Sequence, residues 1–355
     1  MKSIEMNETL IAPDELILVT GASGFIGSRV VQRLVDRGFR NIRCLVRPSS
    51  GSKATRLLAI GEPGQVDVVR GNLLSREDCL AVTEHAVAVI HLAAGRGEKS
   101  YPDAFMNSAV TTRNLLDACV EHGACRRFVN ISSFTVYDNG HKSTGKLLDE
   151  TCGLESRPEL RGEAYCFAKA KQEEVVASYR DRFGLSVVTL RPGVVYGPGN
   201  LAISGRVGID SFGVFLHLGG SNRIPLTYVD NCAEAIVLAA VRPLEGSEAF
   251  NVVDDDLPSS RQFLKRYKAG VRKFRSFYLP KPASYMLCYL WEKYYDWSKG
   301  QLPPAFNRNR WNSLWRKTEY DNKRLKQRLG WAPVVSTEEG LQRYFAACRQ
   351  ENVRA

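Results

Sequence analysis

The chain is 355 residues long, 44% apolar and 25% charged, a balance that excludes disordered, collagen-like and disulfide-stapled classes and leaves room for a large core. Its net charge of +11 is uneven: residues 261–355 hold 21 Lys and Arg against 7 Asp and Glu, while residues 1–260 sum to −3. No stretch of 18 apolar residues occurs, which excludes an ordinary membrane-spanning helix.

Residues 1–14 form an N-terminal extension without an apolar h-region, so no signal peptide is expected and the cytoplasm is the expected location. The run Leu16-Ile17-Leu18-Val19 reads as a strand, and Ile26, Val30, Val31 and Leu34 follow with helical spacing. Between them lies Thr20-Gly21-Ala22-Ser23-Gly24-Phe25-Ile26-Gly27. Three glycines so spaced permit a tight strand-to-helix turn, let backbone amides approach a pyrophosphate, and place that phosphate at the positive N-terminus of a helix. A dinucleotide is therefore expected on Gly21, Ser23, Gly24, Phe25, Ile26 and Gly27. Gly38 then stops the helix before a second apolar strand at residues 42–46, completing a βαβ unit.

Further along, residues 105–120 read as a helix, and Arg127-Phe128-Val129-Asn130-Ile131 as a buried strand that ends in the hydroxyl residues Ser132 and Ser133. Ligands of open α/β sheets bind at that carboxyl edge. Tyr165 and Lys169 stand four apart on a helical stretch, hence on one face. A phenol with a pKa of about 10 is a poor proton-transfer catalyst at neutral pH. An ammonium group within roughly 4 to 6 Å favours the phenolate and lowers that pKa, so the pair suits exchange of a proton with a substrate hydroxyl during hydride transfer.

Glycine turn, strand-end serine and Tyr-x-x-x-Lys, in this order, resemble the extended branch of the short-chain dehydrogenase/reductase superfamily over about residues 14 to 255, nearest to its hydroxysteroid and sterol dehydrogenase-like members. Gly71-Asn72-Leu73, His91-Leu92-Ala93-Ala94 and Arg191-Pro192-Gly193-Val194-Val195-Tyr196-Gly197 agree with it. The resemblance implies a Rossmann-type doubly wound parallel sheet with a smaller C-terminal substrate lobe. It implies that Ser133, with Ser132 the lesser candidate, hydrogen-bonds the reacting oxygen. Tyr165 would be the general acid or base, and Lys169 would lower its pKa and hold the nicotinamide ribose. Cofactor contacts are implied for Asn72, Leu73, Leu92, Ala93, Ala94, Pro192 and Val195. Asn107 matches an asparagine that organises a water relay behind the lysine, or else is a polar helix-surface residue. The family more often has Gly-Asp-Leu at Gly71-Asn72-Leu73 and Tyr-Gly at Tyr137-Asp138, which leaves the loop 139–160, normally facing substrate, undetermined.

The second strand ends in Arg47 rather than in an acid that would bind the ribose 2′-hydroxyl of NAD, and Ser49, Ser50, Ser52 and Lys53 follow. NADP is expected as cofactor, with NAD the second choice. The expected organisation is the extension 1–14, a dinucleotide-binding domain at 15–200, and a mainly substrate-binding lobe at 201–355 whose strand and helix near 226–255 return to the core. Nine cysteines without a Cys-x-x-Cys spacing suit a reducing compartment, and five scattered histidines give no metal site.

The lobe is harder to read. Residues 282–297 are dense in aromatics and fit a lid over an apolar substrate, an interfacial helix or plain core packing. Tyr285, Tyr289 and Trp291 would line a substrate pocket, with Arg308, Arg310 or Arg316 meeting an anionic group. Epimerases and dehydratases that act on nucleotide sugars resemble the chain too, but usually place an arginine where Ile224 stands, with Arg223 one residue away. The expectation is an enzyme interconverting a secondary alcohol and a ketone on a fairly apolar small molecule, with or without an acidic group. The alternatives are a nucleotide-sugar epimerase or dehydratase using bound NAD, and a non-catalytic nucleotide-binding regulator. No nucleic acid is expected; peripheral membrane contact and a homodimer are the remaining partner expectations.

Overall fold

A strand covered on both faces reads as a continuous apolar run, and that pattern dominates this computed structural model, which describes residues 9–95, 100–138, 147–211, 213–299 and 306–354. In chain order the first half contains β1 (Ile17–Thr20), α1 (Gly27–Asp36), β2 (Ile42–Val46), α2 (Gly51–Leu58), β3 (Val66–Arg70), α3 (Arg76–Thr83), β4 (Ala88–His91), α4 (Tyr101–Phe105), α5 (Thr111–His122) and β5 (Arg127–Ile131). There follow β6 (Leu147–Leu148), α6 (Ala164–Phe183), β7 (Val187–Pro192), β8 (Val194–Tyr196), β9 (Gly208–Ser211), β10 (Val214–His217), β11 (Leu226–Tyr228), α7 (Val229–Val241) and β12 (Glu248–Val252). The chain closes with α8 (Ser260–Gly270), β13 (Ser276–Tyr278), α9 (Lys281–Trp297), α10 (Arg308–Trp315), β14 (Glu319–Tyr320), α11 (Lys323–Leu329) and α12 (Thr337–Arg354).

Seven strands form one parallel sheet in the order β12-β7-β5-β4-β1-β2-β3, bearing out the doubly wound expectation. The order reverses between β1 and β4, so a crevice opens beyond their carboxyl ends, where ligands of such sheets bind. Register aligns the ends that matter: Thr20 lies beside His91, and His91 beside Asn130. One face buries Val30, Val31 and Leu34 of α1 with Ala235, Ile236 and Ala239 of α7. The other buries Cys79 and Val82 of α3, Leu115 and Leu116 of α5, and Val176 and Tyr179 of α6.

The last third adds its own apolar cluster, in which Phe263 and Tyr267 of α8 meet Tyr344 and Phe345 of α12. The strand β12 nevertheless pairs with β7, so the chain returns to the main sheet between β10 and α8, while β11 pairs with β8 in a separate two-stranded sheet. All nine cysteines are free thiols.

The helix expected at 105–120 is longer and less regular. It runs from Tyr101 to His122, with a π-helical turn at Met106–Val110 between α4 and α5. A single π turn of this kind marks functional helices more often than ordinary ones, and Asn107 sits on it.

Candidate active site

Each glycine of the β1–α1 turn answers a measurable demand. Gly21 has φ +69°, and a Cβ there would come within 2.8 Å of Ala93 N and 2.9 Å of Leu92 C. A Cβ on Gly27 would approach Gly21 O to 2.2 Å. The turn therefore packs directly on Leu92 and Ala93 at the end of β4, and only glycine lets it do so. No side chain caps the N-terminus of α1, where Ile26 is the N-cap residue, so its positive end is available to a diphosphate. Gly199, beyond β8, approaches the turn from the other side, since a Cβ on it would lie 3.2 Å from Phe25. Glycine turn, β4 end and β8 loop thus frame one crevice, and the residues present fit a dinucleotide.

Ser133 begins the short turn after β5, its hydroxyl accepting from Thr135 N at 3.3 Å. That hydroxyl is also hydrogen-bonded to Tyr165, near the N-terminus of α6. Burial raises the Tyr165 phenol above its ordinary range, and the Ser133 contact opposes the shift. Tyr165 is thereby held as a protonated phenol. The lowering expected from Lys169 is not seen: burial is the largest influence, and the lysine ammonium donates to Ile131 O and Gln172 instead.

Lys169 is buried, and its ammonium donates to Ile131 O at 2.6 Å and to Gln172 Oε1 at 2.8 Å. Burial pulls its pKa down to about 8, partly offset by the Glu173 charge. Behind it runs a chain of buried hydrogen bonds whose direction can be assigned. The Thr112 hydroxyl donates to Ser108 O at 2.6 Å, so it must accept both from Gln172 Nε2 at 3.1 Å and from His91 Nε2 at 2.8 Å. His91 therefore carries its proton on Nε2 and accepts at Nδ1 from the Thr20 hydroxyl, 2.8 Å away. The imidazole is neutral, its pKa held down to about 3 by burial and by the Lys169 charge. Lys169 is thus tied through Gln172, Thr112 and His91 to Thr20, the residue that opens the glycine turn.

Sequence reasoning assigned no role to Gln172, Thr112 or Thr20, and read His91 only as part of a resemblance. Ser132, the lesser serine, is buried with its Oγ unpartnered, as are both amide atoms of Asn130 one strand position before Ile131. Asn107 donates to Asp103 O at 2.9 Å and to Asp103 Oδ1 at 3.2 Å. Asn72 is exposed and its Oδ1 accepts from Leu74 N at 3.0 Å, leaving one lone pair for a further donor. Arg47 is exposed at the end of β2, where Pro48–Ser50 turn into α2. Cys166, beside Tyr165, donates to Thr135 O, and burial pushes its thiol up to about 12, so it packs rather than reacts.

The lobe reaches this site through arginines. Buried Arg161 binds Thr135 O and the Ser313 hydroxyl of α10. Arg310 pairs with Glu163, two residues before Tyr165, at 3.2 Å. Arg308 pairs with Glu292 at 2.6 Å and lies over Tyr289, while Arg223 donates to Leu257 O at 2.5 Å beside a buried Ile224. Tyr285 and Trp291 meet Trp311 and Phe306 edge to face. The loop residues 139–146 lie outside the described residues.

The chain is similar to several known proteins. The 3beta-hydroxysteroid-dehydrogenase/decarboxylase isoform 1 of Arabidopsis thaliana is 26% identical over 370 residues, covering 96% of this chain and 80% of that protein. The 2-alkyl-3-oxoalkanoate reductase of Stenotrophomonas maltophilia is 26% identical over 342 residues, covering 93% and 98%. Among solved structures, UDP-glucuronic acid 4-epimerase from Bacillus cereus, in complex with UDP-glucuronic acid and NAD, shares the fold with a TM-score of 0.70 at 21% identity, over 95% of this chain and 99% of that one. The family model described as NAD dependent epimerase/dehydratase matches residues 17–252. Those limits run from the first residue of β1 to the last of β12 and so enclose the whole parallel sheet, which makes the chain an enzyme of the NAD dependent epimerase/dehydratase family.

Proposed function

We propose that the enzyme interconverts a secondary alcohol and a ketone on a largely apolar small molecule, with NADP preferred over NAD. The observation that carries the reading is the Ser133–Tyr165 hydrogen bond at the carboxyl edge of β5, beside the crevice framed by the glycine turn. A nicotinamide dinucleotide, when bound, supplies or accepts the hydride. Ser133 would orient the substrate oxygen, and protonated Tyr165 would give its proton to the oxygen of a ketone, or take one from an alcohol once ionised. Lys169, kept in place by Gln172 and Ile131 O, would hold the ribose end of the cofactor and, once that is bound, add its positive charge to the site where Tyr165 ionises. Asn72, Leu73, Leu92, Ala93, Ala94, Pro192 and Val195 would complete the cofactor contacts, with Asn107 behind the lysine.

The apolar substrate is favoured by how the lobe spends its cations. A diphosphate needs arginine forks, yet Arg308 and Arg310 bind carboxylates. Arg206 binds Ser313 O and Tyr320, and Arg223 binds Leu257 O. Two of the relatives, a hydroxysteroid-dehydrogenase/decarboxylase and an oxoalkanoate reductase, are consistent with a ketone or alcohol on an apolar skeleton. NADP preference rests on Arg47, exposed where the 2′-substituent of the ribose would lie.

Incubation with NADPH and a panel of sterol-like and β-keto compounds, and separately with UDP- and GDP-sugars plus NAD, tests the reading in one absorbance assay. Steady consumption of NADPH with a ketone supports it. Sugar conversion without net change in the nicotinamide band overturns it in favour of an epimerase or dehydratase.

A further inference from the structure

The helix α9 is built with its apolar side outward. At about 100° per residue, Met286, Trp297, Leu290, Ala283, Tyr294 and Leu287 fall within an arc of roughly 100°, and that arc faces solvent. Met286, Leu287 and Leu290 are each 54% exposed, Tyr294 46% and Trp297 78%. The opposite side carries Ser284 and Cys288, which are buried against α10, and Glu292, which pairs with Arg308. Phe277 and Tyr278, on β13 just before the helix, are exposed as well, Phe277 to 61%. A surface helix ordinarily turns such a face to the core, and contiguous apolar patches of this kind mark interaction sites.

Charge selects the partner. Residues 271–299 hold six Lys or Arg against two Asp or Glu, and Arg272, Lys273, Arg275, Lys293 and Lys299 are exposed around the patch. A second copy of the chain would bring this basic rim against an identical one, a like-charge juxtaposition that disfavours self-association. An anionic lipid surface answers both features: acyl chains take the leucines and methionine, the headgroup level takes Trp297 and Tyr294, and acidic headgroups take the lysines and arginines.

We propose that α9 and the β13 edge before it form a peripheral docking surface for an anionic lipid bilayer. The helix lies in the interface with Leu287, Leu290 and Trp297 inserted, and does not span the membrane; no described helix is long and apolar enough to do so. Its neighbour α10 contacts the Arg161–Glu163 approach to Tyr165, so docking would set the substrate lobe at the lipid surface.

The test uses the full chain with vesicles of phosphatidylcholine alone or of phosphatidylcholine with phosphatidylserine, read by co-flotation and by tryptophan emission. The expected result is binding to the phosphatidylserine vesicles, weakened by salt, with a blue shift of emission. The double variant Leu287→Glu/Leu290→Glu should lose about 10-fold or more in vesicle affinity while keeping its thermal midpoint and dinucleotide affinity, since both positions face solvent. Lys273→Glu/Arg275→Glu should reduce binding to the acidic vesicles without altering fold. Failure of the wild type to bind acidic vesicles overturns the proposal, as does undiminished binding by the leucine variant. A dimer in analytical ultracentrifugation that the leucine variant abolishes also overturns it, by assigning the face to a second copy. Lipid binding is read without substrate, so the outcome is independent of which compound the enzyme turns over.

Discussion

The Lys169 ammonium and the Gln172 amide oxygen stand 2.8 Å apart in a buried pocket behind the crevice, and the amide nitrogen of Gln172 passes the contact on to Thr112. A hydrogen bond to a charged group is worth roughly 1.5 to 3 kcal/mol. Gln172 therefore does part of the work of keeping a lysine charged where burial drives it toward neutrality.

That relationship predicts a pH profile. With its pKa near 8, Lys169 is charged below about pH 8 and neutral above it. For ketone reduction, in which Tyr165 must also be protonated, kcat/KM should be flat through neutrality and fall on the alkaline side near pH 8, since this ratio reports groups of the free enzyme. Gln172→Leu removes a bond to the charged form, so the limb should move down by about one pH unit, roughly the equivalent of 1.4 kcal/mol. Lys169→Arg, charged at every accessible pH, should abolish the limb. An alkaline limb unmoved by Gln172→Leu would show that Gln172 does not position the lysine's charge.

On the proposed mechanism, removing the Tyr165 hydroxyl separates chemistry from binding. Tyr165→Phe deletes the transferable proton and the hydrogen bond to Ser133 but leaves Lys169 and the glycine turn in place. Turnover should drop on the order of 10² to 10⁴-fold, the usual share of a positioned acid or base, with dinucleotide affinity nearly unchanged by fluorescence titration. Ser133→Ala should also slow turnover. If Ser132→Ala is the more damaging of the two serine variants, the roles are reversed, and the unpartnered Ser132 hydroxyl becomes the substrate contact.

The glycine turn was legible in the sequence because its demands are local: φ +69° at Gly21 and the 2.2 Å approach at Gly27 leave only glycine at each place. The Tyr165 and Lys169 pair was legible from helical spacing, and the parallel sheet from uninterrupted apolar runs. The lysine's support was not, since Thr20, His91, Thr112 and Gln172 are scattered over four elements and meet only when β1, β4, α5 and α6 pack. Nor could the fate of the aromatic stripe at 282–297 be read, because periodicity reports that one side of a helix is apolar and not which side faces the core. The structure turns that side outward over Met286, Leu290 and Trp297.

Gly27→Ala tests the cradle itself. A methyl group at 2.2 Å from Gly21 O must push α1 away from the turn, and the moving parts are backbone rather than a pliable side chain. The thermal midpoint should fall, and dinucleotide affinity should fall by about 10-fold or more, because the helix end that would meet the diphosphate is displaced. Gly38→Ala is the control: it has φ +85° but nothing within 4 Å of an added Cβ, so stability should suffer while dinucleotide affinity, measured on the folded fraction, does not.

On the proposed reading, Arg47 selects NADP over NAD. It is exposed at the end of β2, with Ser49 and Ser50 close behind in the turn into α2 and Ser52 in the first turn of that helix. A guanidinium on a 2′-phosphate makes charge-assisted bonds worth roughly 1.5 to 3 kcal/mol, which corresponds to about 10- to 150-fold in affinity. Arg47→Asp should therefore weaken NADPH by that factor and improve NADH, whose free 2′-hydroxyl can donate to the new carboxylate. The wild-type preference should also shrink as salt rises, because the site is open to solvent and its charges are screened. Titrating both reduced nucleotides into wild type and variant at two ionic strengths decides the matter. Equal or tighter binding of NADH by the wild type would remove Arg47 from the cofactor site and move the balance toward a bound-NAD epimerase or dehydratase.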